Sequence, residues 1–183
     1  MEVLLINEDV MKSVGLVNDN VDGCYLQPAM VLSQEVGLQE IIGTKLLKKL
    51  KQLVKDGDMD KPENENYKTL LVDYIKNYLV WATMAEIQIP VSLKTTNSGT
   101  IQNWDDRKNG VDVKSIEYLA NYYKDRARFF GKLLSDYLCV NSSKYPEYKG
   151  STKDGIVGGT EDYCNIYFPE SGCCNKKKRK FYY

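Results

Sequence analysis

From Tyr67 to Ile89 apolar side chains recur at intervals of three and four: Tyr67, Leu70, Leu71, Tyr74, Ile75, Tyr78, Ala82, Ala85 and Ile89. A second run repeats the pattern with Ile116, Leu119, Ala120, Tyr123, Ala127, Phe130, Leu134, Tyr137 and Leu138. Only an α-helix gathers such positions on one face. Two long helices with stripes this wide bury them against other helices, so the chain reads as mainly α, a helical bundle. Leu79, Val80 and Trp81 widen the first stripe, and that helix is expected to be buried on more than one side. Leu71, Ile75, Leu119, Phe130 and Leu134 are the expected core, Pro90 the end of the first helix and Asp112 the cap of the second.

A third helical element precedes these. Pro28 suits the first position of a helix carrying Ala29, Met30, Leu32, Val36, Ile41 and Ile42. Gly43-Thr44 breaks or kinks it, and a second piece runs from Lys45 to Val54 with Lys48, Lys49 and Lys51 turned to water. Upstream, residues 3–6 read as a short strand or a packed arm, and Asn7-Glu8-Asp9 caps a short N-terminal helix ending near Val14.

Two stretches depart from this pattern. Residues 91–112 alternate with a period of two around Asn97-Ser98-Gly99, which reads as a loop or small β-hairpin insertion. Trp104 stands there beside Asp105, Asp106 and Arg107, with little local core to join, and is expected to anchor a contact with a neighbouring subunit or adjoining ring, the alternative being that it folds back on its own bundle. After Asn141 the Gly and Pro signals multiply. Residues 1–148 are therefore read as the helical domain, and 149–183 as an extended C-terminal arm that orders against a neighbour through Tyr163, Ile166, Tyr167 and Phe168.

The chain of 183 residues is 43% hydrophobic and 27% charged, enough for one domain with a real core. It has no His beside 14 Tyr. That removes the imidazole base, the His metal ligand and the Ser-His or Cys-His nucleophile, and no catalytic residue is expected. Asp56, Asp58 and Asp60 alternate like calcium ligands, but the sixth position holds Lys61 where the loop needs Gly, and the twelfth is Tyr67. The five Cys form no Cys-x-x-Cys pair. Neither a metal nor a cofactor is expected. No apolar run approaches 18 residues, and the N-terminus is too short in apolar residues for a secretion signal, so no membrane partner is expected and the thiols read as reduced.

Charge is balanced overall, but Lys176, Lys177, Lys178, Arg179 and Lys180 hold five of the 25 bases, leaving the first 175 residues with 20 bases against 25 acids. This run admits three readings: a salt-sensitive phosphate contact, an acidic partner surface, or a solvated tail.

In order and spacing the chain resembles the head-to-tail connector (adaptor, or head-completion) proteins of tailed bacteriophages, of the crAss-like type. The resemblance runs over residues 1–148. It is carried by Leu5-Ile6-Asn7-Glu8-Asp9-Val10, Asn20-Val21-Asp22, Pro28-Ala29, Gln39-Glu40-Ile41-Ile42-Gly43-Thr44-Lys45-Leu46, Tyr67-Lys68-Thr69-Leu70-Leu71, Lys94 to Gly99, Tyr122-Tyr123 and Asp136-Tyr137-Leu138. It implies a structural protein of the virion, assembled in the host cytoplasm. Its subunits would form a closed homo-oligomeric ring in the neck, touching the portal, neighbouring neck or tail proteins and, without sequence preference, the DNA in the channel. The basic, Cys-rich tail departs from that pattern. A small cytoplasmic regulatory or nucleic-acid-associated protein using the basic tail is the alternative.

Overall fold

The computed structural model describes residues 3–14, 21, 23–96, 99–102, 112–150 and 154–159. Asn7 caps α1 (Glu8–Ser13), its Oδ1 accepting from the Val10 N–H at 3.0 Å. The next helical run spans 23–42: α2 (Gly23–Leu32), a π-helical segment (Ser33–Leu38) and α3 (Gln39–Ile42). Gly43 then separates α3 from α4 (Thr44–Asp56). Two 3₁₀ turns lead into a third run over 65–92, made of α5 (Glu65–Thr69), a second π segment (Leu70–Ile75) and α6 (Lys76–Ser92). β1 (Leu93–Thr96) and β2 (Gly99–Gln102) pair antiparallel, Leu93 opposite Gln102 and Thr96 opposite Gly99. The longest helix, α7 (Val113–Val140), closes the bundle, followed by a 3₁₀ turn (Ser142–Lys144).

α6 is the central element. Tyr78, Leu79, Val80, Ala82, Thr83, Met84, Ala85 and Ile87 are all buried, so no side of it faces water for long. α2 and α7 both pack on α6 and share no extended contact with each other. Gly131 lets α7 come close, since a Cβ there would sit 3.1 Å from Ile41 Cδ1 and 3.2 Å from the Tyr78 ring.

The N-terminal residues form a packed arm. Leu5 and Ile6 are buried. Gln34, 1% exposed on the first π segment, accepts from the Leu5 N–H at 2.8 Å and donates to the Val3 carbonyl at 2.9 Å. One amide thus satisfies two backbone groups that a strand partner would otherwise take.

The bundle is mainly helical, but the expected plan needs correcting. Among the described residues the expected break at Gly43 is complete, so the helical element that precedes the two long ones is two separate runs, 23–42 and 44–56. The ladder continues directly from the end of α6 with four residues a side, and residues 97–98 and 103–111 of the expected insertion lie outside the described residues. Turn signals after Asn141 do not keep Tyr145 and Tyr148 from full burial, and residues 154–159 return to the helix break; the rest of the expected arm, 151–153 and 160–183, lies outside the described residues. Turn-forming residues describe local backbone and say nothing of what a Tyr between them buries against.

Helix ends differ too. α2 begins five residues before Pro28, which lies inside it on the exposed side, where a missing i−4 hydrogen bond costs least and burial of Leu26 outweighs it. Pro90 likewise lies within α6, two residues before its end. Asp112 stands at the N-cap of α7 as expected, but its side chain makes no capping hydrogen bond; its carbonyl accepts from Ser115 and Ile116. Of the expected core, Ile75 and Leu134 are fully buried, Leu71 and Phe130 pack at its edge, and Leu119 is 39% exposed. The buried face of α7 is centred on Ile116, Ala120 and Ala127, which leaves Leu119 on its outer margin.

Candidate interaction surfaces

The closing segment is held by a cluster of tyrosines. Tyr145 donates its hydroxyl to the Asn66 carbonyl at 2.9 Å and lies 3.2 Å from the Tyr137 hydroxyl. Its ring meets Tyr67 edge-on at 5.6 Å, and Tyr137 stacks on Tyr74 at 4.0 Å. Tyr67 donates to Glu147 Oε2 at 2.9 Å. Burial, and then the hydrogen bond to Glu147, push the Tyr67 phenol up to about 12. Burial, then the hydrogen bond to Tyr137, hold Tyr145 well above the ordinary phenol range. Phenols that keep their protons this firmly serve as hydrogen-bond donors, not as bases. The cluster fastens 141–148 across α5 and the second π segment.

The outward side of α7 carries a second apolar row. Tyr118, Phe129 and Val140 are 75%, 63% and 84% exposed, and Tyr122 and Leu133 fill the same face. The spacings 118–129–140 and 122–133 are 11 residues, three helical turns, so the five side chains lie in one band about 33 Å long. Arg126 leans over Tyr122 at 5.1 Å, and Arg128 bridges Asp125 at 2.9 Å.

α2 and the π segment that follows it also share an apolar outer face. Pro28, Leu32 and Val36 follow one another at four-residue spacing and are exposed. Beside them runs an open groove of about 410 Å³ lined by Leu4, Gln27, Pro28, Val31, Leu32 and Glu35. Its Leu4 wall belongs to the arm that Gln34 pins, so a core hydrogen bond shapes a surface feature. Glu35 pairs with Lys51 of α4. A second groove, of about 540 Å³, lies over the 3₁₀ turns and α5, where Lys68 bridges Asp60 at 2.7 Å.

One protein family, described as a family of unknown function (DUF6712), matches residues 38–155, well over half of the chain. The chain belongs to this family. The DUF6712 match takes in α4, α6, α7 and the tyrosine cluster, and leaves α1 and α2 outside it. No curated protein and no solved structure matches the chain.

The contact residues expected from the sequence, Trp104, Asp105 and Arg107, Tyr163, Tyr167 and Phe168, and Lys176 to Lys180, lie outside the described residues. Among the described residues no group of three or more acidic or Cys side chains is placed to hold a metal ion, and no helix is long and apolar enough to cross a membrane. The row on α7 lies beside the wide buried stripe, which masks it in the sequence. Its signal was present in the 11-residue repeat of Tyr118, Phe129 and Val140, offset from the buried face.

Proposed function

We propose that this chain is a non-catalytic structural subunit of a tailed-phage neck, forming a closed homomeric ring that joins the portal to the tail. The observation that supports it best is a pair of unlike apolar faces, on α2 and on α7, separated by the buried helix α6. A ring made of one kind of subunit needs two different surfaces on each copy, since each contact is head to tail. The order of sequence features shared with the connector proteins supplies the setting, the neck of the virion. On this reading the segment around Trp104, Asp105 and Arg107 meets the neighbouring subunit or adjoining ring. The arm with Tyr163, Tyr167 and Phe168 docks on a neighbour, and Lys176 to Lys180 reach an acidic partner surface or the DNA in the channel.

The test is native mass analysis and particle imaging of the full chain mixed with its cognate portal. A stoichiometric ring on the portal is the expected result, and Trp104→Ala should weaken it by about 2 kcal/mol while leaving the subunit's melting unchanged. Failure to bind the portal or any other virion protein would overturn the reading.

A further inference from the structure

The two faces differ in charge as well as position. α7 carries Lys114, Lys124, Arg126, Arg128 and Lys132 against Glu117, Asp125 and Asp136, a net of plus two. Residues 23–42 carry Glu35 and Glu40 and no basic residue. Their shapes are unlike too. The α7 band projects large side chains, with Phe129 and Tyr118 far out, whereas the α2 face is a groove between the N-terminal arm and the helix. The five side chains of the band leave on the order of 600 Å² in water, at the upper end of the roughly 300–600 Å² of an ordinary monomer's largest patch. The largest patch of a monomer is often functional.

We infer that the occupant of the α7 band is a second copy of this chain, whose α2 groove receives Phe129 and its neighbours on the band. The projecting row meets the groove lined by Leu4, Pro28, Val31 and Leu32, and the basic margin of α7 meets Glu40, Glu35 being held by Lys51. Pairing of α7 with α7 is disfavoured, because it would bring two basic helices together and leave both grooves open. The contact is therefore heterologous: every copy keeps one band and one groove unused, and the chain of contacts ends only on closure. The inference rests on the ring reading for its setting, but the contact is tested without a portal.

Phe129→Glu and Leu32→Glu each place a charge on one of the two faces. Both sites are exposed, so circular dichroism and melting should stay as in the parent. Sedimentation of the full chain should show mass rising with concentration for the parent and a monomer for either variant alone. An equimolar mixture of the two variants should form a 1:1 dimer and stop there, since one supplies the intact groove and the other the intact band. The dimer's affinity should fall at least tenfold when salt is raised from low to high, as expected for opposed charged margins.

If either glutamate variant fails to fold, Val36→Lys and Tyr118→Lys test the same two faces. A parent that stays monomeric at every concentration, or a mixture that stays monomeric, overturns the inference. So does a Leu32→Glu variant that still self-associates, which would assign the contact to α7 alone. A failed mixture beside normal rings on the portal removes this contact and leaves the neck reading. Successful pairing without portal binding does the reverse.

Discussion

Thr83 puts a hydroxyl at the centre of α6, fully buried, and its Oγ1 has no hydrogen-bond partner among the described residues. Burying such a group costs about 1–3 kcal/mol. Thr83→Val keeps the shape and removes the polar atom, so chemical denaturation should show a gain of about 1 kcal/mol. Tyr67 makes the opposite kind of statement. Its phenol titrates near 12 in the folded chain and near 10 when unfolded, so the folded state holds the proton more tightly. The stability this contributes is complete below pH 10 and is lost as pH rises from 10 to about 12. Unfolding measured across that window should therefore fall more steeply for the parent than for Tyr67→Phe. The variant itself should be less stable at neutral pH, having lost its bond to Glu147. Equal slopes would show that the phenol is not held as the geometry requires.

Among the elements, the break between α3 and α4 is where three parts of the chain meet. Gly43 has φ 77° and ψ 158°, a conformation open to glycine alone. The helix ends it exposes are received by the returning strap: Thr44 N–H donates to the Ile156 carbonyl at 3.4 Å, and Gly159 N–H to the Ile41 carbonyl at 3.3 Å. A Cβ on residue 43 would lie 2.5 Å from Gly158 N. Gly43→Ala should cost about 1–3 kcal/mol from backbone strain, and more from this collision. In a chain ending at Gly150 the collision is absent, so the same substitution should cost less there. The difference between the two backgrounds, measured by denaturation, is the coupling of strap to break.

The break itself was legible, because Gly43-Thr44 interrupts a helical pattern. The strap was not: 154–159 reads only as turns, and its partners lie over a hundred residues away. Helix bodies were legible from their three-and-four spacing, as were the Asn7 cap of α1 and the stop of α4 at Gly57, whereas the ends marked by proline were not, since Pro28 and Pro90 signal a local preference that burial of Leu26 and Ile87 overrides. The same limit governs the candidate site. Spacing identified α7 as apolar but did not say that Leu119 lies at the margin while Ile116 faces inward. Tyr145 looked like a turn residue because its partner Tyr67 is remote in sequence.

At the scale of the whole molecule, stability should be graded outward from α6. α6 buries Leu79, Val80, Met84 and Ile87 between α2 and α7, so its hydrogen bonds cannot open unless both outer helices leave. The strap touches the body through long backbone hydrogen bonds at the break and through Gly158 and Gly159 against the Tyr148 ring. The strap's own aliphatic side chains are little buried, Ile156 being exposed and Val157 half-buried. Native-state amide exchange should therefore resolve two classes. The amides of Leu79 to Ala85 should exchange only by global unfolding, with a denaturant dependence equal to that of the equilibrium transition. Thr44 and Gly159 should exchange through a smaller opening with a shallow dependence, and the Thr44 amide should lose its protection in a chain cut after Gly150. If Thr44 instead exchanged with the same steep dependence as Leu79, strap and bundle would open as one unit. The returning segment would then be as much a part of the core as α6.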